Sequence, residues 1–196
     1  MIDRRPARLP RSSLAPLAAA ACACALIAGC GAPARPLESS LTDMESLQLR
    51  SWISPQLRRN IDLLPVLGGQ ETSMLWGSRI NTMTLNQTYQ ESLRRLGLMP
   101  DVPETGRYQL KVEVLALAQP NVPVAPEVAL SVRYVLTERA AGVGNVLYQR
   151  TLRTTQKAGI DDSLNPREQL RIATESALRS NIAELVRELA SLPLPP

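Results

Sequence analysis

Two segments in the second half of the chain alternate between inward and outward positions with a period of two. Apolar side chains recur at every second position over 108–116 and again over 128–136. Successive side chains of a β-strand point to opposite faces, so each segment predicts a strand with one buried and one wet face. The wet face would meet water or a partner and would carry Gln109, Lys111, Glu113, Ser131 and Arg133.

Two more strands are expected, one before this pair in the chain and one after it. A glycine-containing turn follows the second segment, and 145–155 predicts a third strand antiparallel to it. Arg150 shares the face of Val146 and Tyr148, which requires a bulge or a place near the sheet edge. An earlier strand is predicted over 60–67, where Pro65 favours an edge or a strand end.

Helical patterns precede and follow the three later strands. Asn81 is a good N-cap, Gly97 is placed to end that helix, and its apolar stripe is Leu85, Tyr89, Leu93 and Leu96. The last helix begins with Asn165, Pro166 and, three residues after the cap, Glu168, which predicts a capping box. Its stripe holds Leu178, Ile182, Leu185 and Leu189.

The element order is therefore β-α-β-β-β-α. Each strand offers one apolar face and each helix one apolar stripe, and burying both predicts an α+β two-layer sandwich. Its sheet would have four mostly antiparallel strands, with two helices on one face. The domain is predicted over 51–192, with a Pro-rich tail over 193–196. Residues 41–51 would suit a short helix, but their pattern is weak, and we assign 30–50 to a flexible tether.

The N-terminus has the layout of an export signal. Four arginines and one aspartate precede an apolar stretch, Leu14 to Ile27, and the small residues Ala28 and Gly29 come before Cys30. The stretch of roughly 14 apolar residues is shorter than the ~20 that a permanent membrane span needs. An uncleaved anchor helix remains the alternative.

This arrangement resembles the lipobox of bacterial lipoproteins, in the run Leu26-Ile27-Ala28-Gly29-Cys30. The resemblance implies that residues 1–29 are removed by cleavage after Gly29. Cys30 would then carry diacylglycerol and an N-linked acyl chain such as palmitate. Gly31 stands where this family has Asp when a lipoprotein stays in the inner membrane, which implies the periplasmic face of the outer membrane.

Removal of the signal would change the net charge and the cysteine content from which function is inferred. The formal charge would fall from +4 to about +1, so the basic whole chain gives no reason to expect a nucleic-acid partner. Two of the three cysteines would leave and Cys30 would be acylated, so no disulfide is expected. The chain has no His, which excludes Ser-His-Asp catalysis and histidine metal sites. We assign no catalytic, metal or cofactor-binding residue.

Weaker candidates for chemistry remain. Asp161 and Asp162 form an acidic pair before the last helix, which is more often a solvated loop than a metal site. The stretch 68–72 lacks the Lys-Ser/Thr ending of a phosphate loop. Arg58-Arg59, Arg94-Arg95 and Arg133 would suit acidic lipid or glycan, although scattered arginines are usually solvated. Trp52 and Trp76 would be partner-binding anchors if exposed, but packing against the core is the commoner case.

A second resemblance covers most of the mature domain. Its residues are Gly68-Gly69-Gln70-Glu71-Thr72, Leu75-Trp76, Ser78-Arg79-Ile80-Asn81, Ser92-Leu93, Gly97-Leu98, Val132-Arg133-Tyr134 and Asn181-Ile182-Ala183. They are similar to those of uncharacterised proteobacterial lipoproteins, some of which are labelled UDP-N-acetylglucosamine acyltransferases. More loosely, the layout resembles auxiliary envelope lipoproteins of lipid-transport systems.

Three functions follow as hypotheses. The first is a non-catalytic accessory lipoprotein that binds an envelope protein or lipid in lipid transport or envelope assembly. The second is an envelope sugar or lipid acyltransferase, although the chain has neither hexapeptide repeats nor a His. The third is a structural role in envelope integrity. The sequence favours the first, and it leaves open whether any catalysis occurs.

Overall fold

The computed structural model describes residues 34–68, 80–119, 125–139 and 144–194. Within these ranges the chain forms, in order, α1 (Pro36–Ser39), α2 (Asp43–Arg50), a 3-10 turn (Pro55–Leu57), β1 (Ile61–Leu63), α3 (Thr82–Arg95), β2 (Tyr108–Ala118), β3 (Glu127–Glu138), β4 (Asn145–Lys157) and α4 (Pro166–Ala190). The predicted α+β two-layer sandwich is confirmed, with two short helices added before its first strand.

The sheet has the spatial order β1-β2-β3-β4. β1 runs parallel to β2, and α3 connects them, whereas β2-β3 and β3-β4 are antiparallel. β1 pairs with β2 through only three residues, Ile61 to Leu63, before Pro65 follows. β1 and β4 are the two edge strands. The sequence predicts an edge or a strand end for Pro65, which follows β1, and a bulge or a place near the edge for Arg150, which lies on β4. Both residues lie at an edge of the sheet.

Two bulges change which side chains face the core. The register between β2 and β3 shifts between Val114 and Ala116, so that Leu117 lies opposite the buried Leu130 and Ala116 is exposed. The placement of Ala116 on the inner face was therefore wrong. A second shift, beside Leu136 and Thr137, pairs Val146 with the outward Thr137, and Val146 is exposed. A bulge adds one residue to a strand and inverts the alternation beyond it.

Both long helices cover the same face of the sheet. Tyr134 on β3 contacts both of them, since its hydroxyl lies 2.7 Å from the Tyr89 hydroxyl of α3 and donates to Asn181 Oδ1 of α4 at 2.6 Å. The Asn181 amide in turn donates to the Leu152 carbonyl and Thr154 Oγ1 of β4. The chain has no Phe, and among the described residues tyrosines supply the largest buried rings. The hydroxyls of two of them, Tyr89 and Tyr134, form this polar chain through the core.

The helix termini are formed as the sequence indicates, with one exception. Asn81 Oδ1 accepts from Thr84 N at 2.7 Å, and Gly97 follows α3 with a φ of +70°. At α4, Asn165 Oδ1 accepts from Arg167 N at 3.0 Å, so the cap is present. Glu168 does not complete the predicted capping box, because its carboxylate accepts from Arg171 Nε at 2.9 Å. The capping-box prediction is wrong for this reason.

The segment 34–50 is packed against the domain, and this corrects the predicted tether over 30–50. α1 and α2 lie against both α3 and α4. Ala34, Leu41 and Leu49 are buried in the common core. At the other end Leu194 also packs against the core, so the packed part extends beyond the predicted range 51–192 in both directions. The sequence did not predict these contacts, because α2 buries only Ser46 and Leu49 and its apolar periodicity is therefore weak.

A buried charge cluster fastens α1 to α4. Arg171 and Glu175 are one turn apart, both almost fully buried, with Nη1 of the arginine 2.7 Å from Oε1 of the glutamate. The same Glu175 oxygen accepts from Arg35 N at 2.7 Å, and Arg171 also binds the carboxylates of Glu38 and Glu168. Burial raises the pKa of Glu175, while its hydrogen bonds from Arg35 and Arg171 oppose that rise.

Candidate functional site

A cleft of about 1310 Å³ opens beside β1, the end of α3 and the segment 99–104. Its walls mix apolar side chains, Leu63, Leu64 and Met99 among them, with charged ones. Among the described residues, the cations that line it are Arg50, Arg58, Arg59, Arg94 and Arg139. We call this site the arginine cleft.

Four separate elements bring these arginines together. Arg50 is the last residue of α2, Arg58 follows the 3-10 turn, and Arg94 lies in the last turn of α3. Arg139 directly follows β3. Arg59 has a φ of +56°, and its N–H donates to the Gly97 carbonyl at 3.0 Å, which holds the backbone against the end of α3. Residues far apart in sequence therefore surround one space.

Asp62 organises one wall of the cleft. Its side chain is buried, and its two oxygens accept from Glu104 N at 3.0 Å, Gly106 N at 2.8 Å and Arg139 Nη2 at 2.9 Å. Arg139 also donates to the Glu104 carbonyl. Since buried carboxylates need such partners, Asp62 and Arg139 are committed to holding the segment 104–106.

The remaining cations are less constrained. Arg59 pairs with Asp101 at 3.0 Å, and Arg94 lies 3.6 Å from Glu91, with both arginines well exposed. Arg50 and Arg58 are exposed and form no ion pair with any residue of the described part of the chain. Guanidinium groups bind phosphate and carboxylate in a fork geometry, so these two are available for an anionic ligand.

The backbone of the cleft is unusual at two positions. Arg59 and Glu104 both lie in the left-handed region, with φ values of +56° and +65°, and both line the cleft. L-residues adopt this region at a cost of about 1–3 kcal/mol, and such residues concentrate at functional sites. The conformations are maintained by hydrogen bonds to Gly97 and Asp62.

The titratable groups of the described cleft lining are carboxylates and arginines. The described lining includes Asp62, Asp101 and Glu104 but no Ser, Thr, Cys or Lys side chain. Asp62 is occupied by Arg139, and Asp101 and Glu104 are exposed. A nucleophile hydrogen-bonded to a base, the usual arrangement for covalent catalysis, is not formed by these residues.

Several predicted site residues lie elsewhere. Cys30, Gly29 and Trp76 fall outside the described residues, as does most of the stretch 68–72. Trp52 has 53% of its surface exposed, so the expectation that it packs against the core was wrong. It remains a candidate anchor for a partner.

The acidic pair is a loop feature. Asp161 and Asp162 are exposed, and Asp162 Oδ2 accepts from Gly159 N at 2.8 Å, which closes a turn before α4. Among the described residues no group of three or more His, Cys, Asp or Glu side chains is arranged to hold a metal ion. No helix in the described ranges has the length and apolar character needed to span a bilayer.

The arginine cleft was only partly visible in the sequence. Arg58, Arg59 and Arg94 stood out as pairs, but a solvated surface was the favoured interpretation. Arg50 and Arg139 carried no signal, because their neighbours in the chain are ordinary helix and strand-end residues. What joins them is the packing of α2 on the domain, which the sequence pattern did not reveal.

Comparisons with known proteins give the fold. No protein-family model matches the chain, and no curated protein matches it. A Xanthomonas campestris protein of the family DUF330 is 14% identical, with a TM-score of 0.50 over 68% of this chain and 86% of that one. A hypothetical protein from Chlamydia trachomatis is 14% identical (TM-score 0.48, 68% and 94% covered). A minor lipoprotein from Acinetobacter baumannii is 17% identical (TM-score 0.41, 72% and 100% covered). The chain thus shares the α+β fold of the Xanthomonas protein.

Proposed function

We propose that this protein is a non-catalytic accessory lipoprotein that binds an anionic amphiphile, such as a phospholipid, in the arginine cleft. The observation that carries the proposal is the pair Arg50 and Arg58, which have no ion-pair partner among the described residues, at a cleft of about 1310 Å³. A cavity of this size suits a lipid headgroup with part of its chains.

The lining supports this ligand class over a purely polar one. The arginines would bind a phosphate, and Leu63, Leu64 and Met99 would contact the acyl chains next to it. An inorganic anion would use only the first group and leave the apolar wall exposed to water. A neutral lipid would leave the arginines without a partner.

The proposed location follows from the N-terminal signal. Cleavage after Gly29 and acylation of Cys30 would anchor the domain through several chains, which hold a protein at a membrane stably. Gly31 supports transport to the periplasmic face of the outer membrane. In that place a lipid-binding domain would serve a lipid-transport or envelope-assembly system.

Lipid capture in living cells tests the ligand. The photoreactive residue p-benzoylphenylalanine replaces Met99, the full chain is expressed, and adducts formed under light are identified by mass spectrometry. We expect an anionic phospholipid adduct at this position. An adduct formed only with a protein, only with a zwitterionic lipid, or with nothing would overturn the proposal.

Charge-matched variants control this experiment. Arg50→Gln with Arg58→Gln removes the two unpaired cations, and we expect the phospholipid adduct to fall about tenfold or more, as loss of two charged hydrogen-bonding groups implies. Lys111→Gln with Arg153→Gln removes two exposed cations of the open sheet face that likewise form no ion pair among the described residues. The control pair should keep the adduct unchanged.

The anchor has its own test. Cells fed labelled palmitate should incorporate the label into the wild-type chain and not into Cys30→Ser. Wild-type protein without label would contradict the anchor and leave the cleft experiment unaffected, because adduct formation at residue 99 does not depend on acylation.

A further inference from the structure

We propose that the outer face of α2, together with Trp52, rests on the surface of the lipid bilayer to which the protein is anchored. This inference rests on the proposed acylation of Cys30. It concerns a surface separate from the interior of the arginine cleft, and it commits to a bilayer as the occupant.

α2 has an apolar pair on the side that faces away from the domain. Met44 and Leu47 are one turn apart and are 77% and 61% exposed. At 100° per residue, Ser46 and Leu49, the two buried residues of the helix, lie on the opposite side. The helix therefore presents apolar groups to its domain and to its surroundings alike, and the outer pair has no partner among the described residues.

Trp52 lies two residues after α2 ends, in the turn that follows the helix. It is 53% exposed, and tryptophan is the side chain that most favours the boundary between headgroups and acyl chains. Leu37, on α1, is also exposed. The exposed apolar residues of the segment 37–52 thus belong to the part of the domain that is next to the lipid attachment site in the chain.

Chain length identifies the bilayer as the occupant. Ala34 is buried against the core, and only four Cα–Cα links separate it from Cys30. Four links reach at most about 14 Å when fully extended. An acylated Cys30 must therefore hold Ala34, where the segment 34–52 begins, close to the headgroups, whereas the tether predicted over 30–50 would have let the domain move far from them.

Charge supports the same orientation. Arg50, on α2, and Arg58 are exposed cations without an ion pair among the described residues. Basic side chains beside an apolar surface favour membranes that contain anionic lipid. Since Arg50 also lines the arginine cleft, this orientation would bring that cleft next to the headgroup layer.

Single-cysteine labelling tests the inference. Apart from the acylated Cys30, the mature domain holds no cysteine, so Met44→Cys or Leu47→Cys can carry one nitrobenzoxadiazole fluorophore. The control is Leu164→Cys, because Leu164 is 87% exposed and precedes α4, in a loop outside the segment 34–52. The acylated full-length product is reconstituted into vesicles of phosphatidylethanolamine and phosphatidylglycerol.

We expect blue-shifted emission, quenched by a lipid-soluble quencher, at positions 44 and 47 and not at 164. The variant Leu47→Glu should return the label at position 44 to water-like emission. Water-like emission at both 44 and 47 in the wild-type background would overturn the inference, as would equal shifts at all three positions.

Palmitate labelling of each variant separates this result from the anchor. Labelled protein with water-like emission at 44 and 47 refutes bilayer docking and leaves the anchor in place. Unlabelled protein refutes the anchor, and docking with it. A crosslink from position 44 to a protein in cells, combined with water-like emission in vesicles, would assign the surface to a protein partner and overturn the inference.

Discussion

The Tyr134 hydroxyl donates to Asn181 Oδ1 at 2.6 Å, and both side chains are fully buried. Because the Tyr134 proton is used in this bond, the Tyr89 hydroxyl is the donor in the 2.7 Å contact between the two tyrosines. Burial raises the pKa of both tyrosines, so the chain stays protonated at physiological pH. It connects α3, β3 and α4 through groups that would otherwise be unsatisfied.

Tyr134→Phe should destabilise the protein more than Tyr89→Phe. The first change leaves both the Tyr89 donor and the Asn181 acceptor unpaired in the core, at a cost of about 1–3 kcal/mol for each unsatisfied group. The second leaves the bond from Tyr134 to Asn181 intact. Urea unfolding of both variants measures the difference, and equal losses would contradict the order of donors.

The pKa values of the glutamates around Arg171 should be shifted in different directions. The hydrogen bond from Arg171 lowers the pKa of Glu168 below its ordinary 4.5. Burial alone would raise the pKa of Glu38, but its bonds to Arg35 and Arg171 lower it overall. Carboxyls with a lowered pKa stabilise the folded state above their ordinary pKa, and this stability is lost as the pH falls through the folded value. Glu175, whose pKa burial raises, contributes the opposite slope.

We therefore expect Glu168→Gln to flatten the acid side of the stability profile. Glu175→Gln should make the rise of stability with pH steeper above about pH 4.5, because the native state no longer takes up a proton there. Urea midpoints measured from about pH 3 to pH 7 give both slopes. A flatter profile for Glu175→Gln would show that its pKa is lowered in the folded protein.

Two glycines outside the strands and helices should differ in their tolerance of alanine. Gly68 has a φ of +88°, and a Cβ built there would lie 2.1 Å from the Val114 carbonyl oxygen. Gly97 has a φ of +70° but no atom within 4 Å of its Cβ position. Gly97→Ala should cost only the left-handed conformation, about 1–2 kcal/mol. Gly68→Ala must also move the backbone and should cost clearly more in thermal or urea unfolding.

Two ion pairs of the arginine cleft should also contribute unequally to the free energy of unfolding. Arg139→Met removes the cation from the buried Asp62, and we expect a loss of roughly 2–3 kcal/mol, somewhat below the value for fully buried pairs because Arg139 is partly exposed. Arg59→Met breaks an exposed pair with Asp101 and should cost less than about 1 kcal/mol. Urea unfolding compares two variants that remove the same charge from the same cleft. Equal losses would mean that Asp62 keeps solvent or other partners after the change.

The alternation of apolar residues in the strands and the residues that begin and end the helices predicted most of the two-layer sandwich. The period of two in β2 and β3 and the caps at Asn81 and Asn165 depend on local backbone physics, so they could be read from neighbouring residues. The inversion at Ala116 and the outward turn of Val146 could not, because a bulge depends on how two strands pair. Glu168 fitted a local capping pattern, but Arg171, one turn further on, takes its carboxylate.

The arginine cleft and the packing of α1 and α2 could not be predicted from the sequence, because they also depend on contacts between distant residues. Arg50 contributes to the cleft only because α2 packs on α3 and α4, and α2 buries few apolar residues. Its attachment relies on polar contacts, such as Arg95 to the Leu41 carbonyl at 3.0 Å and Leu41 N to Ser92 Oγ at 3.2 Å. Contacts between distant polar groups leave no periodic trace in a sequence.

The edge position of β4 limits how another protein could bind. A long edge strand normally offers its free N–H and C=O groups to a fifth strand from another chain. Along β4 the exposed cations Arg150, Arg153 and Lys157, together with the bulge near its start, discourage such pairing. At this edge a protein partner would therefore recognise side chains rather than extend the sheet, and self-association by strand addition is disfavoured there.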